Sequence, residues 1–192
     1  IQTFPSATLQ NPPFDRIIFG EVPHLRTETQ GATPFDRDTR LTADFLQYLD
    51  QKPDKPFFAF LFYDLLHAIS IPAPHRHKFE PSWEYANYMA LNNEMDATPF
   101  FNLYRNCGWY VDSLVGSIVG ELEHKGLLDN SILVITGDHS QEFNENKKNY
   151  WGHGSNYSDA QIHVPFIYYE PGQAPRNYHH TTTHYDIVPT LM

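Results

Sequence analysis

The sequence predicts an α/β fold in which helices cover both faces of a mainly parallel sheet. Three short, almost continuously apolar runs, at 57–66, 131–136 and 163–172, are typical of strands buried on both faces. Amphipathic segments with helical spacing alternate with these runs. The chain of 192 residues is long enough for a real core, so we expect one domain over 1–192.

The first part of the chain, 1–37, is rich in Pro, Thr and Gln and is predicted to be mostly loop. Its short apolar segment at 16–22, RIIFGEV, is compatible with one strand. A helix is predicted from Asp38, because Leu41, Phe45 and Leu49 recur at four-residue spacing behind an Asp/Thr cap. The Pro-rich segment 52–56 is expected to end it.

A second helix is predicted at 100–126, with Gly126 as its stop. Its apolar positions recur every three or four residues: Leu103, Cys107, Tyr110, Leu114, Ile118 and Leu122. The single cysteine is therefore expected to be a small buried side chain. A capped helix start with Pro189 near its first turn follows at 183–192. The Pro- and Asn-rich stretch 67–99 is long enough to predict a functional excursion.

The chain is acidic, with a formal charge of −10 and a pI near 5.4. This charge argues against non-specific nucleic-acid binding, which requires a basic face. An anionic substrate would therefore need local positive charge, such as a metal ion. The longest apolar runs are far shorter than the roughly 20 residues that cross a bilayer.

Asp138 and His139 close the 131–136 strand, with Gly137 allowing a sharp turn before them. A carboxylate and an imidazole at adjacent positions can both bind one divalent cation, and mixed O and N ligands suit Zn or Mn. The alternative is that Asp138 caps the following turn and His139 is a solvated loop residue. The pair alone favours the second interpretation, because two ligands do not make a metal site.

Two further histidines are candidates for the same site. His153 lies between two glycines in YWGHG, where it can approach a ligand closely. His67 ends the 57–66 strand, so a parallel sheet would bring it to the same edge as Asp138, although a histidine simply hydrogen-bonded at a strand end is the alternative. The charged residues between the motifs are most simply a solvated loop: Glu142, Glu145, Lys147 and Lys148. The chain contains no GxSxG, P-loop or HExxH motif.

Four blocks, at 110–143, 150–154, 163–172 and 183–192, occur in the order used by the sulfatase branch of the alkaline phosphatase superfamily. From about residue 38 onward the chain resembles that family. Within it, GDHSQEFNENKKNYWGHGSN at 137–156 looks closest to the periplasmic domain of YejM (PbgA)-type inner-membrane proteins, relatives of phosphoethanolamine and phosphoglycerol transferases.

The resemblance implies roles for four residues. Asp138 and His139 would bind one divalent metal ion, whether Zn, Mn, Mg or Ca, and His67 and His153 would contact the transferring phosphate or sulfate. The family's nucleophile and another acidic ligand lie upstream, so no catalytic nucleophile is assigned here. The chain is expected to be the C-terminal part of the domain and not to complete the metal site by itself.

The chain departs from the family pattern at two positions, and the resemblance implies a function and a cellular location. Ser140 and Gln141 replace the usual Gly and acid after the Asp-His pair. The implied function is a metal-dependent hydrolase or phospho-group transferase acting on a phosphate or sulfate ester in the bacterial cell envelope. The implied location is the periplasm, with membrane attachment through an N-terminal anchor absent from this chain. The alternative is a catalytically inactive module that binds lipid head groups, such as cardiolipin or lipopolysaccharide, or a protein partner.

Overall fold

The computed structural model describes residues 1–51 and 55–192. The strands in these ranges are β1 (Gln2–Pro5), β2 (Ala59–Phe62), β3 (Leu133–Thr136), β4 (Glu142–Phe143), β5 (Trp151–Gly152) and β6 (Phe166–Tyr169). The α-helices are α1 (Phe14–Ile17), α2 (Pro34–Asp50), α3 (Leu65–Ala68), α4 (Thr98–His124), α5 (Asp159–Ile162) and α6 (Ile187–Leu191). Short 3₁₀ turns occupy Ala73–His75, Tyr88–Ala90, Leu128–Asn130 and His184–Asp186.

The predicted α/β class is confirmed, with more varied strand pairing than expected. β1 and β2 form a parallel pair, whereas β3 pairs with β6 and β4 with β5 in antiparallel fashion. An apolar run indicates burial but not direction. The only helix in the link from β3 to β6 is the four-residue α5, which is short for a parallel crossover. β3 and β6 are also partly exposed, so the expected burial on both faces does not hold there.

The predicted first helix is confirmed as α2, which begins four residues before Asp38. Thr33 caps it by accepting from the Asp36 N–H, and the Asp36 carboxylate accepts from the Thr33 N–H. The three predicted core positions, Leu41, Phe45 and Leu49, are all buried. The helix ends at Asp50; of the predicted stop at 52–56, residues 52–54 lie outside the described residues.

The predicted second helix is confirmed as α4, which links two apolar clusters. Leu103 and Cys107 pack into one cluster with α3, while Ile118 and Leu122 pack into the other with β1 and α2. Cys107 is fully buried, and burial raises the pKa of its thiol to about 12, so it is an inert core residue as expected. After α4 the chain turns at Gly126, whose φ of +65° favours glycine.

The ends of the chain differ from the sequence prediction in one respect. The segment at 16–22 forms no strand; α1 overlaps its start, and the N-terminal strand is β1. The predicted C-terminal helix start is present as α6, preceded by a turn in which Thr183 and Asp186 form a capping box. Within the described ranges, no helix is both long and apolar enough to cross a bilayer.

Candidate active site

His67 lies on α3, a single helical turn that directly follows β2. Leu65 and Ile69 are buried in the core beside α4, which leaves the His67 side chain on the outer face, 61% exposed. Ile69 ends the turn in the left-handed region, with φ of +46°. A β-branched residue rarely adopts this conformation, so its packing must fix the turn that carries His67.

Asp138 and His139 lie in the loop after β3, as predicted. The carboxylate of Asp138 accepts a hydrogen bond from the His139 backbone N–H at 3.0 Å. The carbonyl of Ser140 lies 3.0 Å from His139 Nδ1, and because a carbonyl can only accept, the ring hydrogen is on Nδ1. The lone pair is then on Nε2, which is 3.8 Å from Asp138 Oδ1.

His153 follows β5 and lies between Gly152 and Gly154, whose φ values of +85° and +75° explain the need for glycine on both sides. Its Nδ1 is 3.1 Å from the side-chain oxygen of Gln141, which leaves Nε2 free to face a ligand. Burial and the neighbouring imidazoles of His139 and His67 lower the pKa of His153, an effect that Asp138 opposes.

The structure brings the four predicted site residues together. The rings of His139 and His153 stack with centroids 4.0 Å apart, and the His67 ring is 5.1 Å from that of His153 and 6.4 Å from that of His139. Asp138 lies beside His139 on the exposed side of the group. Three imidazoles and one carboxylate therefore converge at one surface, although residues 67, 138 and 153 are far apart in the chain.

Glu142 corrects the sequence interpretation, which placed it in a solvated loop. Its side chain is completely buried. Four side chains donate hydrogen bonds to its carboxylate, at 2.7 to 3.2 Å: Asn146, Asn156, Ser158 and Gln161. Burial opposes ionisation of Glu142, but these four donors outweigh it and lower the pKa of the carboxyl. Glu142 thus ties the start of the β4–β5 hairpin to the segment after His153.

The 67–99 stretch anchors the same hairpin from its other side. Asn106 of α4 accepts from the Phe79 N–H at 3.0 Å and donates to the Phe79 carbonyl at 3.1 Å, which fastens the stretch to the helix. The side-chain oxygen of Asn93 then accepts from the side chain of Asn144 and the backbone of Asn149, both at 3.2 Å. The stretch therefore supports the loop that presents His153.

His184 is a residue at this site that sequence reasoning missed. Its Nε2 donates to the carbonyl of Gly137 at 2.8 Å, directly before Asp138. The signal was present in the THYDIVPTLM block, where a histidine precedes a capped helix start. Gln141 was also undervalued, because it was noted only as a departure from the family pattern and in fact contacts His153.

Asp138 and His139 fit one end of a metal site. The His139 ring donates Nδ1–H to a carbonyl and keeps a lone pair on Nε2, which is the arrangement that metal-binding histidines adopt. The Asp138 carboxylate is largely exposed and presents oxygen to the same space. Within 1–51 and 55–192, no three His, Cys, Asp or Glu side chains are grouped to hold a metal ion, so the pair would need further ligands.

Solved structures show the same fold. The phosphonate monoester hydrolase of Agrobacterium radiobacter matches with a TM-score of 0.58 and 20% identity, over 76% of this chain and 35% of that chain. The phosphonate monoester hydrolase SpPMH from Silicibacter pomeroyi matches with a TM-score of 0.52 and 20% identity, over 72% and 33%. The chain thus spans about a third of the length of these structures.

The sequence comparison is more extensive than the structural one. The family model described as Sulfatase matches residues 4–192. That match includes the end of β1, all four predicted site residues and the final helix, and so covers nearly the whole chain. On this basis the chain belongs to the sulfatase family.

Proposed function

We propose that, in the intact protein, this chain supplies part of the active site of a metal-dependent enzyme that cleaves or transfers a phosphate or sulfate ester. The observation that carries the proposal is the convergence of the His67, His139 and His153 imidazoles beside Asp138. An acidic chain repels anions overall, so an anionic ester needs such a local group of donors and positive charge.

The residues divide into two roles. Asp138 and His139 would hold a divalent ion, which when bound polarises the ester and lowers the pKa of a nucleophile. His67 and His153 would face the non-bridging oxygens, where imidazoles stabilise developing negative charge by hydrogen bonding and, when protonated, by their charge. Gln141 contacts Nδ1 of His153, which orients the ring so that Nε2 faces the substrate. The attacking group would come from outside this chain.

The same proposal extends to a place and a substrate class. We place the domain in the bacterial periplasm, attached to the inner membrane through a segment outside this chain, with a lipid head group or another anionic ester as substrate. The support is the resemblance of the 137–156 segment to the YejM (PbgA)-type proteins. The described structure adds that this segment is built around Glu142 as one unit with His153.

The test compares the intact protein with Asp138→Ala/His139→Ala for bound metal, by elemental analysis, and for turnover of chromogenic phosphate monoesters, phosphate diesters and sulfate esters. A matched control is Asp159→Ala/His163→Ala, because this exposed pair has the same 3.8 Å separation outside the site. We expect the first variant to lose metal and to lose at least about 100-fold in turnover. Changes to residues that only contact a metal ligand already cost about 10- to 100-fold, and this variant removes two ligands. The control should keep both.

An intact protein that folds, contains no metal when supplied with Zn or Mn, and turns over none of these esters would contradict the enzyme proposal. Binding of anionic-lipid vesicles by such a protein would then favour the alternative, a sulfatase-fold module that recognises lipid head groups. Failure of that binding as well would leave a protein partner as the function to examine.

A further inference from the structure

We propose that Arg37, Asp38 and Asp64 form a positioning relay that selects which ring nitrogen of His67 faces the site. The inference rests on the proposed function, because it concerns one of the imidazoles that would face the ester. None of the three residues belongs to the blocks that carry the family resemblance from 110 onward. They connect helix α2, which has no residue in the site, to the short helix α3.

The first contact of the relay is Asp38, a fully buried carboxylate on α2. Its Oδ1 accepts from the Asp64 N–H at 3.0 Å, and its Oδ2 accepts from the Leu65 N–H at 2.9 Å. These N–H groups begin α3, where no side chain of the turn itself provides a cap. Asp38 therefore fixes the position and direction of α3 relative to α2.

The second contact is the ion pair between Arg37 and Asp64. Arg37 Nη2 donates to Asp64 Oδ2 at 2.9 Å, and Arg37 Nε donates to the Ser6 carbonyl at 2.9 Å, which holds the guanidinium in place. The two side chains are only 23% and 16% exposed, so solvent screens the pair weakly. With Oδ2 occupied, the remaining oxygen of Asp64 is directed elsewhere.

That remaining oxygen faces His67. Asp64 Oδ1 lies 3.6 Å from His67 Nδ1, a charge-pairing distance. The contact is longer than a hydrogen bond, but the negative charge of the carboxylate favours hydrogen on Nδ1. In the neutral ring Nε2 then carries the lone pair, and in the protonated ring it carries a second hydrogen that can be donated to a substrate oxygen. The exposed His67 ring would otherwise rotate freely, so Asp64, by holding Nδ1, leaves Nε2 as the nitrogen that can face a substrate oxygen.

The test is the tautomer of His67, read by long-range ¹H–¹⁵N correlation on the intact protein labelled at histidine, at alkaline pH where imidazoles are neutral. We expect the Nδ1–H form in the native protein. In Asp64→Asn the new amide oxygen stays with Arg37 and its NH₂ group turns to His67 Nδ1, so the tautomer should reverse. Arg37→Gln leaves Asp64 and His67 in place but removes the hydrogen bond from Arg37 to Asp64. The ratio of the Nδ1–H to the Nε2–H tautomer should then fall about fivefold, which corresponds to the loss of one hydrogen bond.

The matched control is Arg40→Gln, the same substitution on the same helix at an exposed arginine that pairs with Asp44. It should leave the ratio unchanged, and Arg37→Lys should restore part of the native ratio. An Nε2–H tautomer in the native protein, or an unchanged ratio in Arg37→Gln with the Leu65 amide still protected from exchange, would overturn the relay.

A kinetic measurement separates this inference from the proposed function. If the relay positions His67 for catalysis, Arg37→Gln should lower kcat for the ester more than it raises KM, since the displaced imidazole acts in the transition state. A changed tautomer with unchanged kcat and KM would leave the relay standing and would count against a role for His67 in the reaction.

Discussion

Each of the two histidines expected to contact the anion depends on a buried carboxylate, and the two carboxylates differ. Asp38 supports α3 beneath His67, whereas Glu142 supports the hairpin and the segment on either side of His153. Both are completely buried. Yet the pKa of Asp38 is raised and that of Glu142 is lowered. Two carboxylates that are both shielded from solvent therefore show opposite pKa shifts in the two halves of the site.

The difference lies in how deep each carboxylate lies and in the donors that it receives. For Asp38, burial dominates, the two backbone N–H groups offset it only in part, and the nearby Asp64 carboxylate adds a smaller repulsion. For Glu142, burial also opposes the charge, but four side-chain donors outweigh it. A buried carboxylate is thus a strong structural element only where donors surround it, and His153 should be held more firmly than His67.

The strongest test of this contrast is Glu142→Gln. Three donors, from Asn156, Ser158 and Gln161, converge on Oε2, so an NH₂ group there would face donors and leave them unsatisfied. We expect a loss of about 2–3 kcal/mol in unfolding free energy, the usual cost of unpaired buried polar groups. Denaturant unfolding of the intact protein measures it. Glu145→Gln, an exposed neighbour, is the control, and equal losses in both would refute the contrast.

The sequence predicted which candidate residues lie together better than it predicted the scaffold that holds them. Asp138 and His139 follow an apolar run, and His153 lies between two glycines, so local patterns alone point to these positions. Asp38 and Glu142 have no such signal, because the burial of a charged residue depends on partners 14 to 27 positions away in the chain. Among them, Asn156 and Leu65 are unremarkable in sequence.

The strand pairing shows the same limit. The runs at 131–136 and 163–172 were correctly predicted as strands, but apolar composition carries no information on direction. Their antiparallel arrangement depends on the path of the connecting segment, 137–165. Most of that segment forms the β4–β5 hairpin, carries His153 or donates hydrogen bonds to Glu142. The arrangement of this segment and the direction of β6 both depend on contacts between residues distant in the chain, which local sequence patterns do not show.

A smaller effect is expected from Asp38→Asn. One of the two backbone donors keeps an acceptor and the other faces NH₂, but the substitution also removes a charge that burial disfavours. We expect a loss of about 1 kcal/mol, because these effects oppose each other. Hydrogen exchange at the Leu65 amide locates the change in α3. Asp50→Asn, at an exposed ion pair of the same helix, should change little. A loss equal to that of Glu142→Gln would contradict the argument.

The smallest expected effect is the pH dependence of the losses in unfolding free energy, here called penalties, that Glu142→Gln and Asp38→Asn cause. The two penalties should change with pH in opposite directions. The Glu142 pKa in the folded protein lies below its ordinary value of 4.5, so its stabilisation is complete above that pH and is lost as the pH falls through the folded pKa. The Asp38 pKa lies above its ordinary value of 3.8, so its stabilisation is complete below that pH and is lost as the pH rises through the folded pKa.

The penalty of Glu142→Gln should therefore be constant from neutral pH down to 4.5 and shrink as the pH falls below that value, whereas that of Asp38→Asn should grow as the pH falls through the folded pKa of Asp38 toward 3.8. Unfolding free energies of the native protein and both variants at several pH values give the two slopes. Slopes of the same sign would mean that burial alone governs both carboxylates. Opposite slopes would support the conclusion that the four donors around Glu142 stabilise its charge and hold the His153 half of the site more firmly.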